Sequence, residues 1–334
     1  MRKKIYALIC AGAVIASLCG CSTANQTLPP FGEDQSMWDP SMNVQAPTEE
    51  ETTEAVVELP VCTYEIDGGT VTFTGTGRVE EKTSTTTPQW IEDIGGADKV
   101  TAVVISEGIT QIGNGAFKGC SNLESIVIPK SVETIPSDMV RDCTKLTSVE
   151  ISEGVKIIGK YAFYGCVSLE SIDIPSTIVE IGDHSFFKCN SFTEVTIPDS
   201  VTTLSQYAFS TCEKLEKITV GKGVKVLTKG VFSQNKVLTE VVFLGVVEVF
   251  ETQALADCTI LEELHINDGL TRMDAGVLGE CNNLKKITIP ASVDFIATDQ
   301  FKAVHEDIVI YGVPGSKAEE YATQYEIPFV SVEE

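Results

Sequence analysis

The chain has 334 residues, 43% of them apolar, and a formal net charge of −24. No apolar run is long enough to cross a bilayer as a mature helix, so the chain reads as globular or solenoidal. The acidic excess argues against nucleic acid and anionic membrane surfaces as partners.

Residues 1–21 have the layout of an export signal: the basic start Arg2, Lys3, Lys4, an apolar stretch over 5–18, and then Leu18-Cys19-Gly20-Cys21. The last four residues resemble the bacterial lipobox, with Cys19 an unusual member. That resemblance implies cleavage and acylation at Cys21, giving an anchor of more than one acyl chain that holds firmly in a membrane. Cleavage leaves 21 basic against 48 acidic side chains, a net charge of −27. Residues 22–60 show no periodicity and are dominated by Pro29, Pro30, Pro40, Pro47 and the run Thr48-Glu49-Glu50-Glu51-Thr52-Thr53-Glu54. Such a segment buries too little apolar surface to offset ordering and reads as a disordered acidic tether, spanning roughly 30–40 Å.

Residues 61–97 open with a hairpin signature: Cys62-Thr63-Tyr64-Glu65-Ile66, the turn Asp67-Gly68-Gly69, then the alternating Thr70-Val71-Thr72-Phe73-Thr74. We expect an N-terminal cap, with Trp90 lying over the open end of the first coil.

From 98 to 304 the chain is nine units of 23 residues without insertion. Cysteines mark the step at Cys120, Cys143, Cys166, Cys189, Cys212, Cys258 and Cys281, with Asn235 in the one remaining slot. Three residues past the slot stands Leu, or Phe192 once. Inward positions six and eight past it give L-x-x-I-x-I, as in Leu123, Ile126 and Ile128, a short strand whose alternate side chains face one way. Pro129, Pro175, Pro198 and Pro290, or Gly108, Gly154, Gly223 and Gly269, turn the chain before a second apolar pair such as Val132 and Ile135. One unit is one coil, too small to stand alone. Stacking at about 4.8 Å per coil supplies the stability and gives a nine-coil rod roughly 43 Å long. Residues 305–334 read as a C-terminal cap: Ser316 with Glu319 at capping-box spacing, a helix face of Ala318, Tyr321, Ala322 and Tyr325, and a last strand at Phe329 and Val330.

Leu169-Glu170-Ser171-Ile172-Asp173-Ile174-Pro175 with Tyr161-Ala162-Phe163-Tyr164-Gly165-Cys166 resembles the 23-residue leucine-rich repeat of the BspA-type bacterial surface proteins. The resemblance covers 98–312 and extends to both flanks. It implies a right-handed leucine-rich repeat superhelix with short parallel strands, displayed outside the cell and used for adhesion.

The cysteine ladder admits three readings: a reduced structural ladder, disulfides, or a metal site. Stacked identical positions hold their Cβ atoms about 4.8 Å apart where a disulfide wants about 3.8 Å, and no C-x-x-C occurs. Asn235 favours the structural reading, because Asn shares with Cys only the ability to fill a tight turn and donate a hydrogen bond. His184, His265 and His305 fall at different repeat phases, cannot meet, and read as ordinary surface residues. No catalytic, cofactor or metal constellation is assembled.

What remains is a surface. Outward positions on the strands give the candidate partner-binding face: Ser125, Val127, Ser148, Glu150, Ser171, Asp173, Glu194, Thr196, Lys217, Thr219, Glu240, Val242, Glu263 and His265, together with Leu244 where proline is favoured. Glu150, Asp173 and Glu194 make a central acidic patch suited to a large polar partner. Leu244 is either an exposed contact or repeat drift tucked against its neighbours, and drift is the expected case. The resulting reading is a non-enzymatic lipoprotein at the bacterial cell surface, anchored in the membrane by Cys21, that binds a protein or other macromolecule as an adhesin. A cell-envelope scaffold is the alternative, and an enzyme the remote one.

Overall fold

The computed structural model describes residues 5–6, 61–301, 304 and 307–333. Cys21 and its lipobox, the tether and His305 lie outside them. Among the described residues no helix is long and apolar enough to cross a membrane.

The repeat winds into a parallel β-solenoid, and the reason lies in the period. Most L-x-x-I-x-I runs become strands of up to four residues in register with a strand 23 residues away: Ser125–Ile128 lies on Ser148–Ile151, with Ser125 opposite Ser148 and Ile126 opposite Val149. The second apolar pair makes a two-residue strand on another side of the coil, as Thr134–Ile135 beneath Ile157–Ile158. Leucines at the third position and most inward strand residues are buried, forming one continuous core. Because every pair is parallel and local along the axis, each coil buries its neighbours' edges.

The third side of the coil carries no strands. Two residues per coil adopt a left-handed backbone there. One ladder runs Gly115, Asp138, Tyr161, His184, Tyr207, Gly230, Gln253, Gly276; the other is the residue before each cysteine slot, from Gly119 and Asp142 to Glu280. This conformation is costly outside glycine. It aims the N–H along the axis at the next coil: Asp142 N–H donates to Tyr164 O at 2.8 Å and Tyr161 N–H to Asp183 O at 2.9 Å. The hydrogen bonds between coils offset the strain.

The cysteines sit at the close of this turn. All eight described cysteines are free and buried. In the ladder each Sγ–H from Cys143 onward donates to the carbonyl 26 residues earlier: Cys143 to Phe117 O at 3.2 Å, Cys166 to Val140 O at 3.3 Å, Cys281 to Leu255 O at 3.2 Å. Asn235 makes the same bond, Nδ2 donating to Phe209 O at 3.0 Å, and adds two more, to Phe232 O at 2.9 Å and from Cys212 N–H to its Oδ1 at 2.9 Å.

At the N-terminal end the hairpin strands Thr63–Asp67 and Thr70–Thr74 pair antiparallel, and the second lies parallel on Ala102–Ile105. Ile5–Tyr6 pairs antiparallel with the outer edge of the first. Trp90, in the helix Gln89–Ile94, is buried against Phe73 and Phe117 with ring centroids 5.5 and 5.6 Å away. At the other end Val309–Gly312 and Phe329–Ser331 continue the strand ladder. The helix Lys317–Gln324 starts at Ser316, but the Ser316 hydroxyl makes no capping bond. Glu319 instead accepts from Gly315 N–H at 2.6 Å, one residue earlier than a capping box would place it. Tyr325, at the helix end, is more exposed than Ala318, Tyr321 and Ala322, but its ring packs on that of Tyr321 with centroids 4.4 Å apart.

Candidate functional site

The strand face presents every expected outward residue to solvent. Val127, Ser148, Glu150, Ser171, Asp173, Glu194, Thr196, Glu240, Leu244, Glu263 and His265 are exposed; Ser125, Lys217, Thr219 and Val242 are half-buried. Parallel register stacks them in columns, with Glu194 opposite Lys217, Lys217 opposite Glu240, and Thr196, Thr219 and Val242 in one line. The acidic patch Glu150, Asp173, Glu194 is exposed throughout.

Charge along these columns coincides with where the sheet holds. Lys217 bonds Glu240 at 2.9 Å and Lys286 bonds Glu263 at 3.3 Å, and both junctions are fully paired. Glu150 meets Asp173 and Glu240 meets Glu263, and at both like-charge junctions the strand pairing stops. Like charges directly opposite one another destabilise a cross-strand pair. Residues 171–174 form no strand at all, so the junction beyond them is lost as well. The core feels the gaps: Val149, Ile172, Ile174 and Val241, at these junctions, are only partly buried where their equivalents are closed off. The strand face is thus three segments of sheet.

Leu244 is 49% exposed, so it is not tucked against the neighbouring coils. It stands in line with Gly221 and Asn267, neither of which covers it. Val246 is also exposed and packs over Gly269, where a Cβ would lie 2.3 Å from Val246 Cγ1. With Val242 these make an apolar shoulder. Beside it, at the C-terminal end of the face, lies a cleft of about 860 Å³ between the strand residues His265, Thr288 and Tyr311 and the turn residues Asn267, Pro290 and Val313. The Lys286 ammonium lies 5.3 Å from the centre of the Tyr311 ring. Asn267 Nδ2 donates to Phe243 O and Gly245 O, fixing the turn at the mouth.

One cluster on the turn side escaped the sequence reading. Tyr161, His184 and Tyr207 pack in a tilted row at 5.1 and 4.9 Å, and Tyr164 and Phe187 stack at 5.2 Å, with the Arg141 guanidinium 5.1 and 4.6 Å from the Tyr161 and Tyr164 rings. His184 is therefore no ordinary surface histidine. Burial pulls its pKa below the usual value, and its Nδ1 is buried without a partner. The signal was available: 161, 184 and 207, and 141, 164 and 187, are steps of the same 23-residue period.

The thiols are chemically quiet. Burial pushes Cys120, Cys212 and Cys281 up to about 12 and holds the remaining ladder thiols well above the ordinary range. Among the described residues no group of histidine, cysteine and acid side chains is arranged to hold a metal ion.

The BspA type leucine rich repeat model matches this chain in six copies, over residues 95–191 and 179–306. The chain belongs to the BspA-type leucine-rich repeat family. Among solved structures it is similar to a leucine-rich repeat protein from Bacteroides ovatus, with 24% identity, a TM-score of 0.53, and coverage of 78% of this chain and 71% of that one. A leucine-rich repeat protein from Eubacterium ventriosum shares 22% identity over 75% of this chain and 76% of that one, with a TM-score of 0.49. The leucine-rich repeat protein of T. pallidum shares 24% identity over 67% and 87%, with a TM-score of 0.46. No curated protein matches the chain. At 24% identity the likeness to the Bacteroides ovatus protein speaks for the solenoid fold alone.

Proposed function

We propose that this BspA-type protein is a non-enzymatic, lipid-anchored cell-surface adhesin that binds a macromolecular partner, a host matrix or surface protein, through its strand face. The observation that carries the reading is the face itself. Columns of exposed polar and charged side chains repeat every coil, and a broad surface of this kind engages a large partner by many modest contacts. Membership of a leucine-rich repeat family supports protein binding. The export signal and lipobox at residues 1–21 support anchoring through Cys21.

Two experiments test it. Full-length protein is used to capture partners from a panel of purified matrix proteins and, in parallel, from bacterial envelope extract. Saturable capture of a matrix protein is the expected result, and capture from the envelope extract alone would replace the adhesin with a scaffold. Cys21→Ala in the producing cell should release the protein from the membrane fraction, and retention there would remove the lipid anchor.

A further inference from the structure

We propose that the cleft at the C-terminal end of the strand face receives an extended peptide segment of the partner that carries basic side chains at its two ends. This rests on the reading of the strand face as the binding surface and names the segment recognised there.

The cleft runs across the strands. His265, Thr288 and Tyr311 face outward at one register position of three neighbouring parallel strands, so they form an evenly spaced row. Val332 lies beyond them at the far end. Three steps at about 4.8 Å give a length of roughly 14 Å, which an extended chain covers in about four residues. The volume of about 860 Å³ falls within the range of built ligand sites. None of the three side chains in the row makes a hydrogen bond with another described residue, leaving an imidazole and two hydroxyls free for the amides and carbonyls of an extended backbone.

Charge selects the ends. Lys286 is neutralised by Glu263 at 3.3 Å. Asp268, in the turn at the first coil of the cleft, and Glu333, at its far end, are exposed and enter no ion pair among the described residues. The cleft therefore carries an unbalanced carboxylate at each end, on a chain whose net charge of −24 repels acidic segments. The shoulder of Val242 and the 49% exposed Leu244 adjoins the mouth nearest the middle of the face, where an apolar side chain next to the bound segment covers it.

The test uses full-length protein and two fluorescein-labelled hexapeptides with the same alternating leucine and threonine interior, one ended by lysines and one by glutamates, with chitohexaose as a neutral saccharide. The lysine-ended peptide should bind saturably and at least tenfold more tightly than the other two. The exposed substitutions Asp268→Asn and Glu333→Gln together should weaken it at least tenfold, as should Thr288→Trp, which fills the cleft. Glu213→Gln, exposed in a coil outside the cleft and off the strand face, should leave it unchanged. No saturable binding, equal binding of both peptides, preference for the saccharide, or indifference to Asp268→Asn with Glu333→Gln in a protein of unchanged melting would overturn the proposal. If the peptide fails while Glu150→Gln with Asp173→Asn still weakens capture of a matrix protein, the cleft assignment falls alone. If the peptide binds and those variants leave capture intact, the wider face assignment falls.

Discussion

Asn235 is the place to test whether the cysteine ladder is architecture. Asn235→Ala deletes three buried hydrogen bonds, two donated by Nδ2 and one accepted from Cys212 N–H. At about 0.5–1.5 kcal/mol each, with a further cost for the small void, the loss comes to roughly 2–5 kcal/mol. Asn235→Cys should recover at least half of it. The thiol regains the bond to Phe209 O, and Cys212 N–H can turn to Phe209 O as Cys189 N–H turns to Phe186 O at 3.2 Å. Asn235→Asp should be the worst of the three, because a buried carboxylate can accept from Cys212 but faces two carbonyls it cannot bond. The effect is concentrated in two neighbouring coils, so the measurement is the opening free energy of the Phe209 to Cys212 and Phe232 to Asn235 amides by hydrogen exchange. Equal protection in the alanine and cysteine variants, or an aspartate variant as protected as the cysteine one, would refute the reasoning.

The same geometry sets three further outcomes. Unfolded cysteines deprotonate near 9.0, whereas Cys212 in the fold is pushed up to about 12 by burial, so between those values the folded chain holds a proton the unfolded chain has lost. Stability should be full below pH 9 and then fall by about 1.4 kcal/mol per pH unit for this thiol, steeper with the rest of the ladder added; a flat urea midpoint from pH 9 to 11 would contradict the burial. Asp173→Thr removes a like-charge pair worth about 0.2–1 kcal/mol and should let residues 171–174 pair with Ser148–Ile151, seen as slower amide exchange there, whereas unchanged exchange would mean that charge is not what opens the sheet. Gly230→Ala should destabilise by about 1–3 kcal/mol in denaturant titrations, because φ is +58° and the new Cβ would lie 2.2 Å from Tyr207 Cε1; a neutral result would show that the Tyr207 ring can leave its row freely.

Much of this fold is written in one number. A strict 23-residue period fixes which side chains share a column, so Ile126, Val149 and Ile172 could be assigned inward and Val127, Glu150 and Asp173 outward from spacing alone. What spacing could not settle is how neighbouring columns interact. The sheet breaks where Glu150 meets Asp173 and where Glu240 meets Glu263, a relation between coils that no single repeat displays. The exposure of Leu244 was hidden for a similar reason: its cover depends on Gly221 and Asn267, one too small and the other engaged with backbone carbonyls. The Tyr161, His184, Tyr207 row was legible in the same period, but its residue types differ, so it stands out less than a column of identical cysteines. The cleft draws its far wall from Val313 and Val332, outside the repeats, where no period guides the reading.

The most direct test of the functional account is surface plasmon resonance of the purified full-length protein over immobilised fibronectin, for the wild type and for the triple variant Glu150→Gln, Asp173→Asn, Glu194→Gln. The account predicts saturable binding that weakens with salt, as exposed charges are screened, and falls at least tenfold in the triple variant. Absence of binding to fibronectin and to every other matrix protein tried, or binding indifferent to the three carboxylates, would contradict it.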